Sequence, residues 1–109
     1  MSNYTPDGWV IIKIKGTDPH YRVFGSWRGG YLNGDSWRLN SGIVRAEQNG
    51  DTFDLFGHSG SIYTVHKEGY GRLGMYNRGE AERLCNHDLA EIFEEMPNIM
   101  NMEWIIDEA

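Results

Sequence analysis

Apolar positions along the first two thirds of this chain recur in short alternating runs, and in the last third they recur at helical spacing. Residues 9–15, WVIIKIK, are rich in β-branched residues and alternate at their end. That predicts a first strand, entered from the turn residues Pro6, Asp7 and Gly8. A turn at 16–19 leads to a second strand over 20–27. There Tyr21, Val23 and Gly25 share one face, and Arg22, Phe24 and Ser26 share the other. Phe24 falls on the nominally polar face, so partial cover on both faces is expected. Residues 28–35, RGGYLNGD, read as a glycine-rich connection, in which Asn33-Gly34 is the signal of a type I′ hairpin. Strands follow at 36–39, 43–47, 52–56 and 61–66. A bend separates the first two at 40–42, QNGD at 48–51 makes a hairpin, and a turn lies at 58–60.

Short strands about ten residues apart predict an α+β fold. Its core is a small antiparallel sheet or barrel of five to six strands, followed by one C-terminal amphipathic helix and a short final strand or tail. The expected domain is single, 1–109, with strands over 1–66, a glycine-rich loop over 67–79, the helix over 80–96 and the tail over 97–109. Ala81, Leu84, Cys85, Leu89, Ile92, Phe93 and Met96 form the apolar stripe of that helix. Pro97 stops it. Trp104-Ile105-Ile106 is too apolar for water. It is expected to form a strand, pack on the sheet, or dock on a second copy, so a homodimer is one expectation.

Composition adds three constraints. Fourteen glycines in 109 residues are about twice the usual ~7 %. The single cysteine, Cys85, excludes an internal disulfide and fits a reducing compartment. No stretch approaches the ~20 apolar residues needed to span a bilayer. The first residues, MSNYTPDG, lack the pattern of a signal peptide, so a cytoplasmic location is expected.

The net charge of −6 is unevenly distributed: residues 1–78 carry nine Lys/Arg against seven Asp/Glu, and residues 79–109 carry one Arg against nine Asp/Glu. Overall acidity argues against a sequence-independent grip on nucleic acid, and no membrane partner is expected. The acidic last third reads either as a solvated face or as a surface for a basic partner.

Candidate chemistry concentrates in residues 21–42, YRVFGSWRGGYLNGDSWRLNSG, where arginines and aromatics alternate with glycines. Trp27, Tyr31 and Trp37 offer flat faces, Arg28 and Arg38 offer charged forks, and Asp35 either orients Arg38 or serves as a plain turn residue. Residues 68–79, EGYGRLGMYNRG, repeat the composition and add Tyr76 and Arg78, with Arg72 nearby. The two stretches are expected to face each other across one cleft. Stacking on a base and pairing with a phosphate suit these eight residues: Trp27, Arg28, Tyr31, Asp35, Trp37, Arg38, Tyr76 and Arg78. Each aromatic also has the plainer reading of a core residue.

Catalytic signatures are absent: no GxSxG, no P-loop and no HExxH occurs. GYGRLG at 69–74 fits GxGxxG literally but lacks the βαβ setting. His58 and His66 fall at opposite ends of one predicted strand, too far apart to share a metal. Cys85, His87 and Asp88 point in different directions on the predicted helix, and a buried cysteine is inert. No cofactor, metal site or catalytic residue is expected.

The motifs FGSWRGGYLNGDSWRLNSGI and GHSGSIYTVHKEGYG resemble small accessory proteins of tailed, T4-like bacteriophages. The likeness covers about residues 4–74. It implies a setting, the cytoplasm of an infected bacterium, and a role in binding and disabling host factors. It implies no catalytic residues. Three functions follow as expectations. One is a non-enzymatic protein that sequesters a small nucleotide-like anion in the Gly/Trp/Arg cleft. Another is an acidic, DNA-mimicking inhibitor that lays helix 80–96 on a host protein through Glu91, Glu94 and Glu95. The third is a small hydrolase or transferase using His58 or His66 with Asp35.

Overall fold

The computed structural model describes residues 3–30, 34–86 and 89–104, apart from the side chains of residues 29, 30, 34 and 35. Its strands in order are β1 (Asn3–Tyr4), β2 (Gly8–Ile14), β3 (His20–Gly30), β4 (Gly34–Leu39), β5 (Ile43–Asn49), β6 (Thr52–Gly57), β7 (Ile62–His66) and β8 (Ala90–Ile92). One helix, α1 (Met75–Leu84), lies between β7 and β8. The strands form two four-stranded sheets, ordered β1-β7-β6-β5 and β4-β3-β2-β8. The α+β class is as the sequence predicts, but the sheets do not close into a barrel.

Apolar residues on both faces of β2 and β3 explain this layering. Trp9, Ile11 and Val23 pack with Ile43, Phe53, Leu55, Tyr63 and Val65 in the core between the sheets. Their neighbours Val10, Ile12 and Phe24 form a second core on the opposite face with Leu73 and Ala81. Adjacent strand residues point to opposite faces, so a run such as Trp9-Val10-Ile11-Ile12 needs cover on both. The other sheet covers one face, and α1 with its leading turn covers the other. Trp9 ties the sheets together by donating its indole N–H to the His66 carbonyl at 2.6 Å. Ile99 and Trp104 close the inter-sheet core, with Trp104 edge-on to Tyr21 at 5.6 Å. Residues 97–104 therefore anchor on the inter-sheet core through Ile99 and Trp104 while Met100, Asn101 and Glu103 stay exposed; Ile105 and Ile106 lie outside the described residues.

The helix differs from its predicted bounds. It begins at Met75 and ends at Leu84, and residues 90–92 are a strand instead. β2 supplies the reason. With β3 on one side, its other edge would leave backbone groups unpaired. β8 takes that edge in antiparallel register, Ile12 opposite Ile92 and Ile14 opposite Ala90. Lys15 N–H to the Leu89 carbonyl (2.6 Å) and Phe93 N–H to the Ile11 carbonyl (3.0 Å) extend the pairing. Leu89, Ile92 and Phe93 have helical spacing, but the sheet edge claims them.

The glycine-rich loop at 67–79 also has more structure than expected. A 3₁₀ turn, Lys67–Gly69, leads into a bridge between Tyr70 and Trp9, and α1 then starts at Met75. Gly8 permits this close crossing, because a Cβ there would lie 1.8 Å from the Arg72 carbonyl oxygen. The QNGD hairpin forms between β5 and β6, with Gly50 at φ 62° opening a two-residue loop. The Asn33-Gly34 turn falls partly outside the described residues.

Candidate functional site

The eight residues singled out in the sequence do not converge on one pocket. Strand pairing sets Trp27 opposite Ser36 and Trp37 opposite Ser26, which places the two indoles on opposite faces of the sheet. Trp27 is half-buried, edge-on to Tyr4 at 6.3 Å. Arg38 caps the same Tyr4 ring, its guanidinium 4.7 Å from the centroid. Trp37 lies on the helix side, stacked on Phe24 at 5.2 Å. Arg28 is exposed, and its backbone N–H is held by the Asp7 carboxylate at 2.8 Å. Tyr76 is exposed on α1 and donates to Glu80 at 3.2 Å. Arg78 pairs with Glu82 and Glu94, and the Glu94 hydrogen bond holds its pKa above the ordinary arginine value. Tyr31 and the Asp35 side chain lie outside the described residues.

The two glycine-rich stretches pack directly on each other. Ser26 donates to the Leu73 carbonyl at 2.8 Å, and Asn77 donates to Ser26 Oγ at 2.7 Å and to the Ser36 carbonyl at 2.8 Å. Buried side chains thus occupy the place where the cleft was expected.

The acidic positions are redistributed too. Glu91 sits on β8, facing Lys15 at 3.8 Å, and Glu94 is paired with Arg78. Glu95 is exposed. These three share no helix face, because the chain is not helical there. Burial pushes the Cys85 thiol up, which keeps it protonated at neutral pH. His87 and Asp88 lie outside the described residues. Among the described residues, no group of three His, Cys, Asp or Glu side chains could hold a metal ion.

A pocket of about 430 Å³ opens where the chain passes from β4 to β5. Its polar lining is Asp18, His20, Arg22, Ser41 and His58, and its apolar wall includes Ile43 and Trp104. The His20 ring is held from both sides. Its Nδ1–H donates to the Asp18 carbonyl at 2.7 Å, and its Nε2 accepts Arg22 Nε–H at 2.9 Å. A carbonyl can only accept, so these bonds define a neutral ring with the proton on Nδ1. No carboxylate among the described residues pairs with Arg22. Ser41 Oγ accepts the Ser59 N–H at 3.0 Å and donates to Ser59 Oγ at 3.1 Å, fixing its place on the rim. Gly42 lets the rim approach: its φ is 135°, and a Cβ would sit 3.4 Å from the His20 ring.

Sequence reasoning placed Arg22 on a strand face and gave His20 no role. The signal that could have found them is the His-x-Arg alternation, which puts both side chains on one face of a strand. Nothing local could have added His58, which arrives from the β6–β7 turn. His66 lines a different pocket of about 370 Å³ with Asp7, Glu68 and Arg72, so the two histidines stay apart.

No helix among the described residues is long and apolar enough to cross a membrane. Set beside known proteins, the chain matches no protein-family model, no curated protein and no solved structure.

Proposed function

We propose that this chain is a non-enzymatic binding protein that holds a small anionic ligand in the pocket between His20, Arg22, Ser41 and His58. The observation that carries the reading is Arg22: a guanidinium at a pocket wall, fixed by a neutral histidine and joined to no carboxylate among the described residues. Such a cation keeps terminal N–H groups for an incoming anion. A hydroxyl and a second imidazole line the same pocket, and the wall by Ile43 and Trp104 suits the organic part of a ligand. The volume of about 430 Å³ lies within the usual range for small-molecule sites.

In the bacteriophage setting that the sequence resemblance implies, holding such an anion would withdraw it from the host. The acidic-inhibitor reading loses support, since Glu91 and Glu94 already face cations of the same chain.

Melting measured across a panel of nucleotides and sugar phosphates tests the proposal. A bound ligand raises stability by RT ln(1 + [L]/Kd), so a ligand at about 100 Kd adds about 2.7 kcal/mol. The shift should shrink to that of weak residual binding in Arg22→Gln. Unchanged melting with every anion would sink the reading.

A further inference from the structure

Resting on the anion-binding reading above, we infer that His20 is a positioning residue that aims the Arg22 guanidinium at a tetrahedral oxyanion, and that the ligand is an organic phosphomonoester. The ring cannot turn without losing its Asp18 bond, and Arg22 spends its Nε–H on the ring. The guanidinium plane is therefore set before any ligand arrives, and its two terminal nitrogens, joined to no carboxylate among the described residues, suit bidentate contact. Preorganisation of this kind removes part of the entropy cost of fixing a long side chain on binding.

A second donor selects the shape of the anion. His58 comes from another segment and lines the same pocket as Arg22, whereas the Ser41 hydroxyl already gives its proton to Ser59 Oγ. A carboxylate has two oxygens in one plane, and a single arginine fork satisfies both. A phosphoryl group has three oxygens spread in space and can engage donors from both segments. The apolar wall of Pro19, Ile43, Val44 and Trp104 then receives the organic substituent. Asp18 also lines the pocket, and its carboxylate opposes any anion and a phosphomonoester more than a carboxylate, so the expected preference is what the Arg22 and His58 contacts leave after that cost.

Calorimetric titration of the full chain with phenyl phosphate and with benzoate tests both halves. Wild-type protein should bind phenyl phosphate at least about ten-fold more tightly than benzoate, the worth of one further charge-assisted hydrogen bond. His20→Leu should weaken phenyl phosphate about ten-fold, as one lost hydrogen bond to a charged group predicts. His20→Asn can still reach the Asp18 carbonyl but not Arg22, and should weaken binding to the same degree. His20→Gln keeps an acceptor at the reach of Nε2 and should stay within about three-fold of wild type. In an Arg22→Gln background, His20→Leu should add nothing, because His20 acts through Arg22. Equal binding of benzoate overturns the phosphomonoester assignment. Full-strength binding by His20→Asn, or an undiminished effect of His20→Leu without Arg22, overturns the positioning role. Wild-type protein that binds neither probe overturns the anion-binding reading itself, and that result is distinct from either of the others.

Discussion

The two ends of β3 carry similar residues and use them differently. At the β3–β4 hairpin, aromatics and arginines are dense, and several are engaged within the chain, although Arg28 is exposed and bonded through its backbone N–H. Arg38 lies over Tyr4, Trp37 stacks on Phe24, and nearby Arg78 serves two carboxylates. At the His20 end the residues are fewer, and the guanidinium is held by a neutral ring beside a pocket. Residue type is therefore a poor guide to a binding cation. What decides is whether its hydrogen bonds are already spent within the chain and whether space lies in front of it.

Separating the two ends by mutation gives the sharpest tests. The largest effect on folding should come from Asn77→Ala. Asn77 is fully buried and bridges Ser26 and the Ser36 carbonyl, so its loss leaves a buried acceptor without its donor. Urea denaturation should show a loss of about 1–3 kcal/mol, with anion affinity unchanged. A change in affinity would mean that the two ends are coupled.

Tyr70→Phe is the next test. The hydroxyl accepts the Ile11 N–H at 3.1 Å and donates to the Phe93 carbonyl at 2.7 Å, linking β2 to the segment after β8. The variant should lose about 1–2 kcal/mol. Burial pushes Tyr70 up to about 12 from its ordinary 10.0, and burial, partly offset by Arg38, does the same for Tyr63. A raised folded value gives stability that is complete below pH 10 and lost as pH rises toward 12. Wild-type protein should therefore weaken over that window, and the Phe variant should weaken less. Identical alkaline profiles would show that Tyr70 is not the titrating group.

The smallest effects concern charge. Arg38→Gln should leave anion affinity within about two-fold, because Arg38 does not line the pocket and lies over the Tyr4 ring instead. Asp18→Asn should tighten anion binding by about two- to three-fold, by removing a like charge from an exposed rim. A large loss in Arg38→Gln would return the binding site to the hairpin end.

Much of the strand pattern was legible because alternation is a local property. The runs at 9–15, 20–27, 43–47, 52–56 and 61–66 each contain or overlap a strand of the structure. The apolar residue on the polar face, Phe24, correctly signalled cover on both sides. β1 escaped notice because two residues carry no period, and their pairing with β7 is decided by distant chain. The helix bounds were misread because Ala81, Leu84, Leu89 and Ile92 fit a helical stripe as well as they fit a helix followed by a strand. At the start of α1, Met75 is exposed and the buried residue is the polar Asn77, so no apolar signal marked the first turn.

By itself, the amino-acid sequence determined the α+β class, the positions of most strands and, through Phe24, the cover on both faces of β3. Those follow from side-chain period and hydrophobicity, which neighbouring residues set between them. Only the tertiary structure decided that the sheets stay open, that residues 90–92 complete an edge and that His20, Arg22 and His58 meet at one pocket. Backbone groups on a sheet edge must find partners wherever the chain can supply them. A guanidinium's partners likewise come from residues far away in sequence, and no local pattern records them.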